Sequence, residues 1–293
     1  MIISRTPLRI SFVGSDLVEN GAVISSTINK YMYVSVNEKF DGKLKVAYSK
    51  TEIVDTASEL EHDLARAALT LLNLKDGLEV SSVCDIPSGT GLGSSGAYTV
   101  GLLNALHRFK GEEVYNEQLA EEACEVEINI CGKKVGKQDQ YAVSCGGFNC
   151  IEFNDEVDIY KLYFDEEKLE EKLLLFYVGQ REEAFEKNGS FKERANLAKD
   201  LKKELVNGNL DNFGDYLNRN WELKRKCSTP EIDAFYKTGM KNAEGGKLLG
   251  AGGGGFLLFY APVENHEKII KSLPLRNVPF SFENEGSRII YED

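Results

Sequence analysis

Between Pro87 and Ala97 the chain reads Pro-Ser-Gly-Thr-Gly-Leu-Gly-Ser-Ser-Gly-Ala, set between a strand-like run and a helix-like one. Glycines at 89, 91 and 93 let a backbone turn sharply and approach a ligand with no Cβ in the way. The helix that follows opens with unpaired N–H groups and the positive end of its dipole, which together attract an anion. Ser94 and Ser95, in its first turn, add hydroxyls that can face a phosphate or a metal. No Gly-Lys-Ser/Thr closes the loop, so it is not a Walker A loop. The spacing and βαβ rhythm of a dinucleotide fold are also missing. Read alone, the string is equally a Gly/Ser-rich turn that caps a helix.

The rest of the chain predicts an irregular mixture of strands and helices. Strands are expected at 28–36, 44–48 and 79–83, where β-branched and aromatic residues cluster or alternate. Helices are expected at 58–73, from the glycine loop to Gly111, and at 117–130. The segment 146–153 returns to strand. In the second half the acidic run from Asp165 predicts a solvated helix face, followed by a strand at 173–178. Helices near 191–206, 210–225 and 231–243 come next, and strands at 256–260, 280–282 and 288–291 end the chain. The fold class is α+β, with two halves meeting near residue 158.

Composition removes several functions. A net charge of −12 over 293 residues, with no basic tail, argues against nucleic acid or a membrane surface as partner. It does not exclude an anionic substrate, because a phosphate responds to its immediate pocket more than to the distant field. Cys84, Cys124, Cys131, Cys145, Cys150 and Cys227 have no C-x-x-C spacing and are expected as reduced thiols. His62, His107 and His266 lie far apart, which gives no support to a zinc hydrolase or a Ser-His-Asp enzyme. The amino terminus has no signal-peptide pattern and no window is long and apolar enough to span a bilayer, so a cytoplasmic protein is expected.

The string Pro-x-x-x-Gly-Leu-Gly-Ser-Ser resembles the second signature of the GHMP kinases. Thr6-Pro7-Leu8-Arg9-Ile10-Ser11-Phe12 is similar to the first signature, and Lys247 to Phe256 to the third. More narrowly, Gly136-Lys137-Gln138-Asp139-Gln140-Tyr141, Gly146-Gly147-Phe148 and Gly286-Ser287-Arg288-Ile289-Ile290-Tyr291 resemble the D-glycero-D-manno-heptose 7-phosphate kinase branch. The resemblance implies the two-domain GHMP kinase fold. A ribosomal protein S5 domain 2-like nucleotide-binding domain would span 1–158, and a ferredoxin-like domain 159–293. It also implies ATP as co-substrate, Mg²⁺ as cofactor, and a monomer or homodimer acting on a small sugar or sugar phosphate.

Phosphoryl transfer requires a clamped nucleotide, neutralised charge and an acceptor hydroxyl held in line. The resemblance assigns the ATP clamp to Pro87, Gly89, Gly91, Leu92, Gly93, Ser94, Ser95 and Gly96. It assigns the metal to Ser95 and Glu127, an oxygen-only set suited to Mg²⁺. Glu127 stands among Glu121, Glu122 and Glu125, and only its place five residues before Gly132 separates it from surface charge. Asp139 is the candidate base for the sugar hydroxyl, with Arg9 beside it to screen developing charge. The alternative readings are a turn carboxylate for Asp139 and a surface cation for Arg9, and the match of the surrounding strings is what favours the catalytic ones. Asp16, Lys137, Gly252, Gly253 and Gly254 are the candidate acceptor-site residues.

Three stretches depart from the pattern of the heptose branch. Phe12-Val13-Gly14-Ser15-Asp16-Leu17 reaches Gly21 with only three residues between. The segments after Gly179 and around Cys227 are short as well. These departures bear on the acceptor pocket more than on the kinase chemistry. Another GHMP kinase acting on fucose, a different hexose or mevalonate therefore stays open, as does an inactive nucleotide- or sugar-binding sensor.

Overall fold

The structure, a computed structural model, describes residues 1–180 and 190–293. The first half contains strands β1 (Ile2–Ser15), β2 (Gly21–Glu38), β3 (Leu44–Ala47) and β4 (Thr51–Val54), then helix α1 (Asp63–Leu71) and strand β5 (Leu78–Cys84). Helices α2 (Ser94–Phe109), α3 (Asn116–Cys124) and α4 (Gln138–Cys145) follow, and strands β6 (Phe148–Phe153) and β7 (Val157–Lys161) complete it. β2 serves two neighbours at once: Gly21–Ser26 pairs with β6 and Met32–Glu38 with β5. Only β3 and β5 run parallel in this eight-stranded sheet.

The second half contains α5 (Glu166–Glu170), β8 (Leu173–Gly179), α6 (Phe191–Val206), α7 (Phe213–Glu222) and α8 (Pro230–Gly239). β9 (Gly245–Leu248), β10 (Gly255–Tyr260), α9 (His266–Ser272), β11 (Arg276–Asn277) and β12 (Arg288–Glu292) close the chain. A four-stranded sheet forms in the order β11-β8-β10-β9. α6 packs against β1 and β2, and α7 against β1 and β9. The core runs on through these contacts. Phe12 of β1 stacks on Phe148 at 5.2 Å and meets Phe213 of α7 edge-on at 5.4 Å. Phe213 in turn lies 5.4 Å from Tyr260 of β10. Aromatic pairs of this kind add about 0.5–1.5 kcal/mol each beyond burial. They fix the C-terminal end of β1, which leads into the turn carrying Asp16.

Several sequence expectations are refined. The division near residue 158 falls inside β7, which pairs with β6, while β12 returns from the far end of the chain to pair with β1. The helix expected at 58–73 begins only at Asp63, because the Glu52 carboxylate takes the N–H groups of Glu61 and His62 and holds that stretch out of the helix. The strand expected at 280–282 is a single bridge between Ile28 and Phe282, next to Pro279, which has no N–H to give a ladder. The helix expected to run to 130 becomes a π-helical turn over Glu125–Ile130. The short stretch expected after Gly179 runs into 181–189, outside the described residues. The other two short stretches are a turn between Ser15 and Gly21 and a direct passage from Cys227 through Thr229 into α8.

Candidate active site

Two glycine-rich loops interlock to form the floor of the site. The loop before α2 turns at Gly89, Gly91 and Gly93, with φ of 75°, 86° and 76°. A methyl on Gly91 would lie 2.9 Å from the Gly250 Cα and from the Leu249 carbonyl oxygen. The contact is backbone on backbone, and only residues without a Cβ allow it. Leu92 is fully buried, so its side chain serves the core, and its carbonyl accepts the Arg9 N–H at 3.0 Å. Pro87 and Gly89 are exposed at the rim, where the Thr90 hydroxyl donates to the Pro87 carbonyl at 2.8 Å.

Arg9 links this loop to the first turn of α4. Its Nη1 donates to the Gly91 carbonyl at 2.6 Å, while Nε and Nη2 both donate to Asp139 Oδ1, at 3.0 and 2.7 Å. Arg9 is 4% exposed, whereas the Asp139 side chain keeps 29% of its surface open. α2 and α4 meet end to end here: a methyl on Gly96 would lie 3.1 Å from Asp139 Cβ.

Beside them, Glu127 is buried at 1% exposure. Ser95 Oγ donates to its Oε2 at 2.7 Å and Gln140 Nε2 to its Oε1 at 2.8 Å. Burial raises the Glu127 carboxyl above its ordinary value, against the opposing pull of these two hydrogen bonds. Such a carboxylate gains from a cation. Among the described residues no group of three His, Cys, Asp or Glu side chains is placed to hold a metal alone. A hydroxyl and one carboxylate instead fit Mg²⁺, which keeps waters and takes phosphate oxygens to complete its shell.

These groups line a cavity of about 210 Å³, whose far wall comes from the second half of the chain. Asp16 faces it from the turn after β1, where its carboxylate accepts the Gln138 N–H at 2.9 Å and the Gln138 side-chain amide at 3.1 Å. Gly136 needs its missing side chain there, since a Cβ would collide with that carboxylate. Four cations also line the cavity: Arg9, Arg194, Lys224 and Lys247. Lys247 is 4% exposed and its Nζ donates to the carbonyls of Ser11 at 2.9 Å and Phe12 at 2.6 Å. Burial, then the charges of Lys224, Arg194 and Arg9, holds its ammonium well below the ordinary lysine range. Lys224 donates to the Gly250 carbonyl.

The structure thus brings together Arg9, Asp139, Ser95, Glu127, Asp16 and the loop from Gly91 to Gly96. Lys137 does not join them: it is exposed just ahead of α4 and outside the cavity wall. Gly252, Gly253 and Gly254 also stand back. Gly253 N–H donates to the Cys227 carbonyl at 2.9 Å, and the part of that run reaching the cavity is Gly250 and Ala251. Arg194, Lys224, Gln138 and Gln140 line the cavity without having been singled out by sequence. The two amides stood inside a quoted motif and carried a readable signal; the two cations, one on the polar helix α6 and one in the turn after α7, carried none.

Comparison with known proteins gives the same direction. The family model described as GHMP kinases N terminal domain matches residues 63–147, and that described as GHMP kinases C terminal matches 201–274. The chain is 27% identical to a D-glycero-alpha-D-manno-heptose 7-phosphate kinase of Campylobacter jejuni, across 97% of each protein. It is 28% identical to a mevalonate kinase of Methanocaldococcus jannaschii, across 72% of this chain and 70% of that one. Among solved structures, a D-glycero-D-manno-heptose 1-phosphate kinase from Bacteriodes thetaiotaomicron superposes with a TM-score of 0.83 at 26% identity, covering all of both chains. No helix among the described residues is long and apolar enough to cross a membrane.

Proposed function

The chain belongs to the GHMP kinase family, and from that premise we propose that it transfers the γ-phosphate of ATP to the anomeric hydroxyl of a sugar phosphate, with D-glycero-D-manno-heptose 7-phosphate as acceptor. The observation that carries this reading is the Arg9 guanidinium, which bonds the glycine loop at Gly91 and the Asp139 carboxylate at once. Phosphate chain and base are thereby held one side chain apart, as in-line transfer requires. The likeness to the Campylobacter heptose 7-phosphate kinase over nearly the full length supports the choice of acceptor.

The glycine loop and the start of α2 offer main-chain N–H groups and a helix dipole to the nucleotide phosphates. Ser95 and Glu127 are the residues that would hold Mg²⁺, whose chemistry is to neutralise the phosphate oxygens as charge moves onto them. Asp139 Oδ1 is held by Arg9, so Oδ2 is the atom that accepts the proton of the sugar hydroxyl. The acceptor oxygen forms its bond to the γ-phosphorus as the bond to the β,γ-bridging oxygen breaks, and ADP leaves. Asp16 accepts hydrogen bonds from sugar hydroxyls at the opposite wall, and the enzyme acts in the cytoplasm.

The direct test incubates the protein with ATP, Mg²⁺ and a panel of the heptose 7-phosphate, fucose, galactose and mevalonate. ADP release is followed together with the phosphorus NMR spectrum of the product. A new anomeric phosphate on the heptose alone is expected. Turnover of mevalonate alone would remove the sugar assignment, and nucleotide binding without transfer to any acceptor would make the protein a sensor.

A further inference from the structure

Arg194 is a cation in the wrong place for a purely structural residue. It is 9% exposed and sits in the first turn of α6, where the helix dipole disfavours positive charge. No carboxylate lies within ion-pair distance of it among the described residues, and its Nε has no hydrogen-bond partner there. Its side-chain hydrogen bond among the described residues is weak: Nη2 donates to the neutral Ser15 hydroxyl at 3.3 Å. The Phe191 ring, 5.3 Å away, covers one side of the guanidinium. A buried charge left in this state costs several kcal/mol unless a ligand completes it.

Lys247 repeats part of the pattern. Lys247 is buried and bonded to two carbonyls but forms no ion pair among the described residues, and Lys224 lines the same wall. Burial and mutual repulsion push Lys247 towards its neutral form, a tendency that an anion seated among these groups would reverse. Arg9, the remaining cation, is already committed to Asp139 and Gly91. Arg194 and Lys247, which form no ion pair among the described residues, therefore bring the positive charge that faces the cavity beyond Arg9. Three cations suit a dianion of about −1.5 to −2 better than a single carboxylate charge.

We propose that Arg194, with Lys247 and Lys224 behind it, is the clasp for a phosphate monoester carried by the acceptor itself, and so the residue that makes a phosphorylated sugar the preferred substrate. This rests on the kinase reading above and adds a specificity residue to it. The guanidinium fork donates through the unpartnered Nε and a terminal nitrogen to two phosphate oxygens. The phosphate end of the sugar is anchored there while its anomeric end reaches Asp139. No bond to this phosphate is made or broken.

The test compares wild type, Arg194→Met and Arg194→Lys by equilibrium binding of D-glycero-D-manno-heptose 7-phosphate, of the same heptose without phosphate, of mevalonate and of a non-hydrolysable ATP analogue. KM and kcat are measured alongside. In wild type the 7-phosphate should bind at least about tenfold more tightly than the unphosphorylated heptose, the scale of a charge-assisted hydrogen bond. Arg194→Met should weaken 7-phosphate binding about tenfold to a hundredfold and leave ATP-analogue affinity within about twofold. Arg194→Lys should recover part of the loss, because it keeps the charge without the fork.

Equal wild-type affinity for the two heptoses overturns the proposal, and so does a loss in Arg194→Met that is the same for both. Arg194-dependent binding of mevalonate in place of the sugar phosphate overturns the phosphate assignment. Arg194-dependent 7-phosphate binding without phosphoryl transfer leaves the clasp standing and removes the kinase reading instead. If Arg194→Met does not fold, the wild-type comparison and Arg194→Lys decide the matter.

Discussion

Arg9 grips Asp139 by a single oxygen: Nε and Nη2 both point at Oδ1, at 3.0 and 2.7 Å, and Oδ2 has no hydrogen bond among the described residues. A guanidinium that spread its fork across both oxygens would bind more tightly and leave neither oxygen free of a cationic donor. The one-sided grip orients the carboxylate and keeps one oxygen available, which is what a general base needs.

Asp139→Asn should therefore separate binding from chemistry. The amide carbonyl can still accept from Arg9, so the loop geometry and nucleotide affinity should stay within about threefold of wild type. Transfer should fall by about 10²–10⁴, the usual share of a general base. Single-turnover phosphoryl transfer beside calorimetric titration of an ATP analogue measures both. Near-normal transfer would remove Asp139 from the role of base.

Glu127→Gln should act through the metal. The substitution is close to isosteric, and Ser95 and Gln140 can still satisfy the amide. It also removes a charge whose burial is unfavourable in the absence of a cation. Thermal stability without Mg²⁺ should hold or rise, while the Mg²⁺ concentration for half-maximal activity should climb about tenfold. An unchanged Mg²⁺ dependence would show that the ion, if used, is held elsewhere.

The sequence carried those parts of the site that depend on residue type. A loop that bends at φ near +80° and touches another backbone must be glycine, so Gly91 and its neighbours were readable before any coordinates. Asp139 and Arg9 were readable only because the strings around them resemble a family. Glu127 was marked by an offset from Gly132, but its inward orientation was not. A regular helix would put Val126 and Ile130 on one face, whereas the π-helical turn buries Glu127 and leaves Ile130 46% exposed. One extra backbone residue per turn is invisible to a period of 3.6. Arg194 and Lys224 were hidden for a different reason: Arg194 sits on the polar helix α6 and Lys224 in the turn after α7, and only the packing of these helices on β1 shows which cations face inward.

Gly91→Ala should disable the floor of the site. The φ of 86° costs a residue with a Cβ about 1–2 kcal/mol, and the added methyl meets the Gly250 backbone as well. The two glycine loops cannot separate without shifting the carbonyl that Arg9 binds. The melting temperature should drop by several degrees, at about 2–4 °C per kcal/mol for a cooperative unit of about 150–250 residues. Transfer should fall by a larger factor than the unfolded fraction accounts for. A fully active, equally stable variant would mean that the loops do not need to touch.

His107 should make stability fall on the alkaline side. It is 4% exposed at the end of α2, with Nδ1 2.7 Å from Glu112 Oε2 and Nε2 2.6 Å from Glu122 Oε2. Only the protonated ring donates to both carboxylates. The hydrogen bond to Glu122 raises its pKa above 6.5, opposed by burial and helped by the bond to Glu112. Because the folded value is the higher one, this contribution is complete below the unfolded pKa and is lost as pH rises through the folded pKa. Glu112 and Glu122 are shifted downward, so theirs is present above the ordinary value of 4.5 and lost as pH falls through the lowered values. The contribution of this cluster to the melting temperature should accordingly be level between these limits and decline on the alkaline side of 6.5. His107→Gln should lower the plateau and flatten that decline; an unaltered alkaline slope in this variant would assign the pH dependence to another group.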